Sequence, residues 1–134
     1  RHRRGWYLMQ PVKDFTKIKG ELLIEIQAVR SGKQLREFIR FPYRLHKNLP
    51  NWIPPLLSEQ RKIFNPRKNS LLQRCAYRLF LLYERRNVIG RIAAFIDLQA
   101  NAYRSETIGS FGHYECIERA EASRLLLQTA EAWL

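Results

Sequence analysis

The chain has 134 residues, of which 46% are hydrophobic and 12% aromatic, and 24 Lys+Arg against 12 Asp+Glu give a formal net charge of +12. This length predicts one domain with a sizeable core, and the normal apolar content argues against intrinsic disorder. No apolar run approaches the roughly 20 residues of a spanning helix, and no secretory signal is present. With two cysteines and no metal-ligand spacing, we expect a reduced, cytoplasmic protein with no metal site.

The basic excess is concentrated in the first half of the chain. Residues 1–68 hold 16 Lys+Arg and 5 Asp+Glu, whereas residues 69–134 hold 8 and 7. Such a half can attract nucleic acid, an anionic membrane surface or a phosphorylated small molecule, and interleaved aromatic residues would allow stacking on bases. A solvated surface on a basic protein explains the same pattern. We favour that interpretation because no known nucleic-acid-binding signature is present.

The predicted elements begin after an irregular basic arm at residues 1–20, which show no clean periodicity. Residues 21–30 alternate apolar and polar side chains, which predicts a strand. Ser31 fits a helix N-cap, and Gln34 three residues later completes a capping box. The apolar residues that follow repeat at helical spacing.

Proline dominates the next stretch of sequence. Pro42 is expected to disturb the helix, since proline cannot donate to the preceding turn, and residues 44–47 are predicted to form a short second segment. Residues 48–55 contain three prolines and are predicted to form a loop. A short helix is expected to start at residue 58 and to end before Pro66.

The sequence of the next stretch predicts two β-strands. Residues 77–84 and 88–98 are rich in aliphatic and aromatic side chains, and residues 85–87 between them are short enough for a hairpin loop. Gly90 inside the second strand indicates a bulge or a close backbone approach.

The last third continues with a polar connection at residues 99–106 and a strand at residues 107–116. A strong helix is predicted for residues 118–134, with Ala122, Leu125, Leu126, Thr129 and Trp133 on one face. The fold class is mixed α/β: a mostly antiparallel sheet with flanking helices. Because no capping residue follows the last apolar stripe and the chain lacks an initiating Met, we expect a truncated domain.

The order of strand, two helices, three strands and helix resembles the beginning of a GNAT-superfamily acyltransferase. Several short sequence segments are similar to those of a poorly characterised bacterial group of GNAT-like proteins. They are Phe41-Pro42-Tyr43, Asn51-Trp52-Ile53-Pro54-Pro55, Gly90-Arg91-Ile92-Ala93-Ala94, Gly109-Ser110-Phe111-Gly112-His113-Tyr114-Glu115-Cys116 and Ala130-Glu131-Ala132-Trp133-Leu134. The resemblance implies that residues 21–134 form the N-terminal part of that domain and that the chain stops after its third helix.

The resemblance implies a cofactor site where the last predicted strand meets the last helix. There the superfamily holds the pyrophosphate of acyl-CoA on backbone amides at the helix N-terminus. The positions concerned are Arg119, Ala120, Glu121 and Ala122, and the two alanines stand where small residues belong. Ile117 stands where the superfamily has Gln or Arg. First-turn carboxylates already satisfy a helix dipole, so an ordinary acid-capped helix explains the same residues.

The resemblance also implies roles for the strand before this helix. Gly112, His113 and Tyr114 would lie beside the pantetheine arm, and Gly112 would permit close approach. Glu115 is the candidate catalytic residue, a general base that takes a proton from an amine through a water. Strand alternation places His113 on the same face as Glu115. A surface carboxylate and a structural histidine remain the alternative interpretations.

Two functions follow from these observations. The first is part of an acyl-CoA-dependent N-acyltransferase that transfers an acetyl group, or another acyl group, from acetyl-CoA or another acyl-CoA to an unknown amine. Because the later strands of the GNAT fold do not follow residue 134, we do not expect activity from this fragment alone. The alternative is a non-catalytic module that binds an anionic partner through its basic N-terminal half. Nucleic acid is the less favoured partner, and the oligomeric state is not predicted.

Overall fold

A computed structural model of the chain describes residues 13–18 and 22–134. These residues form a single antiparallel sheet of five strands that lie side by side in chain order. The strands are β1 (Lys13–Ile18), β2 (Leu22–Ala28), β3 (Cys75–Glu84), β4 (Asn87–Asp97) and β5 (Ser110–Cys116). The helices are α1 (Gly32–Leu45), α2 (Leu57–Ile63), α3 (Ser70–Arg74), α4 (Leu98–Arg104) and α5 (Ala120–Trp133). The predicted fold class, an antiparallel sheet with flanking helices, is confirmed.

The centre of the sheet is buried on both faces. Phe80 belongs to the core cluster under α5, and the next residue along β3, Leu81, belongs to the cluster under α1 and α2. Because successive strand residues point to opposite faces, both faces of β3 and β4 need apolar side chains. This explains why their sequences are almost continuously apolar instead of alternating. Helix α5 contributes Leu126 to one layer, and α1 contributes Phe38 to the other.

Gly90 lies at both a bulge and a close approach, as its position in the strand predicts. The register between β3 and β4 shifts by one residue next to Gly90, which leaves Ile89 as an extra residue in β4. A Cβ atom on Gly90 would lie 2.6 Å from Leu126 Cδ1 and 3.2 Å from Cys116 Sγ. The absence of a side chain at this position therefore lets α5 pack directly on β4.

Helix α1 begins as predicted, with one difference in its cap. The Ser31 hydroxyl accepts a hydrogen bond from the Gln34 amide at 3.1 Å. The Gln34 side chain, however, accepts from the backbone amide of Arg30 at 2.8 Å, one residue before the position that a capping box uses.

The prediction that Pro42 disturbs this helix is wrong, because α1 runs without interruption from residue 32 to residue 45. Proline has no N–H, so the carbonyl of Phe38, four residues earlier, loses its usual partner. The guanidinium of Arg91, on β4, donates to that carbonyl at 2.7 Å from Nη1. A tertiary hydrogen bond thus replaces the missing helical one, and the predicted second segment at residues 44–47 does not form.

Two other predictions of irregular structure are wrong. Within the predicted basic arm, Lys13–Ile18 form strand β1, which pairs antiparallel with β2; residues 1–12, 19 and 20 lie outside the described residues. Strand β1 is stabilised by backbone pairing with a neighbouring strand, and the pattern of side chains in the sequence does not reveal this pairing. Most of the polar connection predicted at residues 99–106 is helical instead, since α4 spans Leu98–Arg104. The Asp97 side chain caps its first turn by accepting from the Ala100 amide at 2.9 Å.

Candidate functional site

Strand β5 contains an irregularity in the middle of the stretch that the resemblance implicates. Arg91 pairs with Glu115 and Ala93 pairs with Gly112, so three steps along β5 match two steps along β4. His113 adopts a φ of 53°, in the left-handed region, which accommodates the extra residue. A bulge leaves backbone groups outside the regular ladder, so this part of β5 can present amides to a ligand.

The bulge leaves the predicted shared face of His113 and Glu115 intact. The His113 ring packs edge-on against Phe64, with the ring centroids 4.8 Å apart, on the α1 and α2 side of the sheet. Glu115 contacts a residue at the end of α1 on that same side. Tyr114 points to the other side, where its hydroxyl donates to the Ser123 hydroxyl of α5 at 2.7 Å. Gly112 has no atom within 4 Å of the position a Cβ would take.

Glu115 is held by a histidine that the sequence analysis does not identify. The Nε2 atom of His46, the residue that caps the C-terminus of α1, lies 2.7 Å from Glu115 Oε1. The side chains of His46 and Glu115 keep 22% and 29% of their surface exposed, so the pair is reachable from solvent. No local motif connects the two residues, which are 69 positions apart, so only the tertiary fold brings them together.

Aromatic rings surround this pair on the side of the proline-rich loop. The Trp52 ring lies 5.3 Å from the His46 ring and 5.7 Å from the Tyr43 ring. The Tyr43 hydroxyl donates to the carbonyl of Pro55 at 2.6 Å. Trp52 and Tyr43 therefore pin the loop against α1, and Trp52 forms a wall beside His46, the partner of Glu115.

Two other ionisable side chains of the site have perturbed pKa values. Arg91 is only 4% exposed, and burial lowers the pKa of its guanidinium to about 10, although the carboxylate of Glu115 nearby acts in the opposite direction. Burial, and secondly the positive charge of Arg91, lower the pKa of His113 below its usual value. His113 is therefore neutral at pH 7, whereas Arg91 keeps its charge, and the face carries a fixed cation behind Glu115.

Helix α5 starts four residues after β5 ends and presents an open N-terminus. Arg119 is the N-cap residue, and among the described residues no side chain caps the helix. The amides of Ala120, Glu121 and Ala122 are the first three of the helix, which have no intrahelical acceptor. Ala120 is exposed and Ala122 is buried against the sheet.

The side chain of Arg119 forms an ion pair that the sequence does not suggest. Its guanidinium donates twice to the Glu84 carboxylate, at the end of β3, with N–O distances of 2.5 and 3.3 Å. This hydrogen bond is the main reason that the pKa of Arg119 is raised. The charge of Arg119 is therefore already neutralised by Glu84.

The remaining candidate chemistry in the described residues is sparse. No cluster of three or more potential metal ligands exists there, and Cys75 and Cys116 are free thiols whose pKa values are raised by burial. No helix in the described part of the chain has the length and apolar character to cross a membrane. Strand β5 is the last strand of the sheet, and within the described residues only β4 pairs with it.

Comparison with known proteins finds two relatives. No known family profile matches the chain, and no solved structure matches it. A bacterial ceramide synthase from Caulobacter vibrioides (strain NA1000 / CB15N) is 30% identical over 112 residues, which are 83% of this chain and 29% of that protein. Protein YghO from Escherichia coli (strain K12) is 35% identical over 110 residues, 81% of this chain and 28% of that protein. The chain thus spans less than a third of the length of either relative.

Proposed function

We propose that this chain forms part of an acyl-CoA-dependent N-acyltransferase of the GNAT type, which transfers an acyl group to an amine. The observation that carries the proposal is the junction of β5 and α5. A bulged strand there leads to a helix whose first amides no described side chain caps. The same strand carries Glu115, held in place by His46.

The residues at the junction fit the diphosphate of an acyl-CoA. Backbone amides at the N-terminus of a helix, together with its positive dipole end, bind phosphate oxygens. The small side chains of Ala120 and Ala122 leave the amides accessible, and Glu84 holds the guanidinium of Arg119 beside this turn. Gly112, His113 and Tyr114 would contact the pantetheine arm through the backbone of β5. When bound, acyl-CoA supplies the acyl group as a thioester. The amine nitrogen would bond to its carbonyl carbon as the C–S bond breaks, and coenzyme A would leave as a thiolate that is then protonated from solvent.

Side chains of this protein would then remove a proton from the acceptor amine. Glu115 accepts that proton, directly or through a water, so that the nitrogen lone pair is free. His46 is a positioning residue, because its Nε2–H donates to Glu115 Oε1 and fixes the carboxylate. The backbone amides around the bulge at His113 would stabilise negative charge that develops on the reacting carbonyl oxygen.

The name of one relative agrees with this reaction class. Ceramide is a fatty acyl amide of a long-chain amino alcohol, so a ceramide synthase forms an amide bond to an amine. This supports N-acylation as the chemistry of the present chain. A long acyl group with a lipid amine is then as reasonable a pair of substrates as an acetyl group with a small amine.

The first test is binding of acetyl-CoA and palmitoyl-CoA to the full-length protein, followed by thermal unfolding. Ligand at a hundred times its dissociation constant should stabilise the fold by about 2.7 kcal/mol. Ala120→Glu adds a carboxylate at the first amide and should abolish the shift. The matched control, Ala132→Glu at the other end of α5, should retain it. No shift in the wild type at millimolar ligand would refute the proposal.

Two further variants test the charges around the site. Glu84→Gln releases Arg119 from its partner and should tighten acyl-CoA binding by about two- to fivefold, the range of a single surface ion pair. Glu115→Gln should lower kcat by about 10²–10⁴ without weakening acyl-CoA binding. His46→Gln, which can still donate to the carboxylate, should retain more activity than His46→Ala. Equal activity of the two His46 variants would contradict a positioning role.

A further inference from the structure

The solvent face of α1 carries a continuous stripe of cations, which we call the basic stripe. Its members are all exposed: Lys33, Arg36, Arg40 and Arg44 on α1, and Lys47 two residues after α1 ends. At about 100° per residue the four on α1 fall within an arc of roughly 80°, opposite the buried side of the helix. Within the described residues, no carboxylate forms an ion pair with any of them.

A second helix adds to this positive surface. Arg61, on α2, lines a cavity of about 350 Å³ together with Arg36 and Arg40, and no acidic residue is among the residues that line it. Glu37, at the edge of the stripe, borders the neighbouring groove and is the only carboxylate on α1. The surface therefore has a strong excess of positive charge that the described residues do not neutralise.

Exposed aliphatic side chains lie next to the basic stripe. The segment that follows α1, residues 48–56, is called here the apolar loop. Ile53, Leu56 and Leu49 in this loop are 86%, 70% and 55% exposed. Its three prolines have no N–H, so entry of the loop into an apolar medium leaves fewer backbone donors without partners. Three large apolar side chains at this exposure, all within residues 49–56 and directly after the stripe in the chain, are the kind of surface that marks an interaction site.

The loop is held in place with its aliphatic side chains directed outward. Its backbone continues from the end of α1, since the Leu49 amide donates to the His46 carbonyl at 3.0 Å and the Trp52 amide to the Leu49 carbonyl at 3.3 Å. Tyr43 binds the carbonyl of Pro55 on the far side of the loop. The loop is thus a fixed projection next to the cations.

The kinds of side chain exposed on the loop favour a lipid surface over a nucleic acid as the partner. Stacking on bases requires exposed aromatic rings, but Trp52 packs against Tyr43 and His46 and is half-buried. The exposed groups of the loop are aliphatic, and these enter the acyl region of a bilayer readily. Cations beside them would contact anionic headgroups, and the two contributions together exceed what either gives alone.

From these observations we propose that the basic stripe and the apolar loop dock this protein on an anionic membrane surface. The aliphatic side chains of Ile53 and Leu56 insert at the headgroup boundary, and Arg36, Arg40 and Lys47 contact lipid phosphates. Docking does not depend on the proposed acyl transfer, since none of these residues belongs to the junction of β5 and α5. It would, however, place the wall formed by Trp52 beside the lipid.

The test is co-sedimentation of the full chain with 100 nm vesicles of phosphatidylcholine alone or with about one third phosphatidylglycerol. The wild type should bind the anionic vesicles and lose most binding in 1 M NaCl. Each basic residue at a membrane surface changes partitioning about fivefold, so Arg36→Gln with Arg40→Gln should weaken it about 25-fold. The matched control, Arg104→Gln with Arg124→Gln on α4 and α5, should have a much smaller effect.

Two additional variant pairs separate the contributions and guard against misfolding. Arg36→Lys with Arg40→Lys retains the charge and should retain binding. Ile53→Ser with Leu56→Ser retains the charge but should weaken vesicle binding about tenfold or more, whereas Tyr103→Ser, at a remote exposed side chain, should not. The basic residues at positions 1–12 are present in every variant, so the differences report on α1 and the loop.

The same variants are measured on a duplex DNA oligonucleotide. The proposal is supported if the serine pair weakens vesicle binding and leaves DNA binding unchanged. Equal binding to neutral and anionic vesicles, equal loss in the Arg36/Arg40 pair and its control, or vesicle binding that is indifferent to the serine pair would overturn it.

Discussion

Arg91 and Pro42 should be energetically coupled through the carbonyl of Phe38. In the wild type, Pro42 cannot donate to this carbonyl, and Arg91 Nη1 does so at 2.7 Å. In Pro42→Ala, the new amide at position 42 can donate to Phe38 in the usual helical way. Loss of the guanidinium should therefore destabilise the wild type more than it destabilises Pro42→Ala.

The size of the coupling follows from the contacts of Arg91. A hydrogen bond from a charged donor contributes about 1.5–3 kcal/mol, and its guanidinium over the Phe38 ring, at 4.8 Å, contributes about 0.5–2 kcal/mol. Burial of the charge opposes these gains, since it lowers the pKa of the guanidinium to about 10, which corresponds to a penalty of roughly 3 kcal/mol. The gains, about 2–5 kcal/mol in sum, are therefore largely offset, and Arg91→Met alone should cost at most about 2 kcal/mol. The coupling to Pro42→Ala should equal the hydrogen bond alone, about 1.5–3 kcal/mol, because desolvation and the contact with the Phe38 ring are the same in both backgrounds.

The measurement is a double-mutant cycle by urea unfolding, followed by tryptophan fluorescence and far-UV circular dichroism. A matched control is Arg78→Met, at the other buried arginine of the sheet, which should show no coupling to Pro42→Ala. A second readout is the pKa of His113, which should rise in Arg91→Met because the charge of Arg91 lowers it. Additivity of Arg91→Met and Pro42→Ala within about 0.5 kcal/mol would refute the assignment of the hydrogen bond.

Three other predictions concern packing, protonation and capping. Gly90→Ala should lower the free energy of unfolding by about 1–3 kcal/mol in a urea titration, because its methyl group would lie 2.6 Å from Leu126 Cδ1. Gly112→Ala should lower it clearly less, because no atom lies within 4 Å of the position that its methyl group would take. Because the pKa of His113 is lowered in the fold, its unfolded form binds the proton more readily, so stability should fall as the pH drops below about 6.5. Thermal melts of His113→Asn should show a smaller loss over that range, and an equal loss would contradict the burial argument. Ser31→Ala should cost about 1 kcal/mol through loss of the α1 cap, with the helical circular dichroism signal as the check.

The sequence by itself determined the elements whose stability is local. The strands β2 to β5, the cap of α1 at Ser31 and the buried stripe of α5 follow from side-chain periodicity and from capping residues, and the structure contains all of them. Periodicity is readable because a half-buried strand or helix must place apolar side chains at fixed spacing. The same reasoning placed His113 and Glu115 on one face of β5, where the structure has them.

Tertiary structure alone decided the features that depend on partners distant in the chain. Strand β1 forms because β2 offers unpaired backbone groups, and α1 continues through Pro42 because Arg91, 49 positions later, replaces a missing amide. The same holds for the site, where His46 meets Glu115 and Glu84 holds Arg119 across long stretches of chain. A hydrogen bond between residues far apart leaves no periodic trace in the sequence, since its geometry is fixed only when the sheet has assembled.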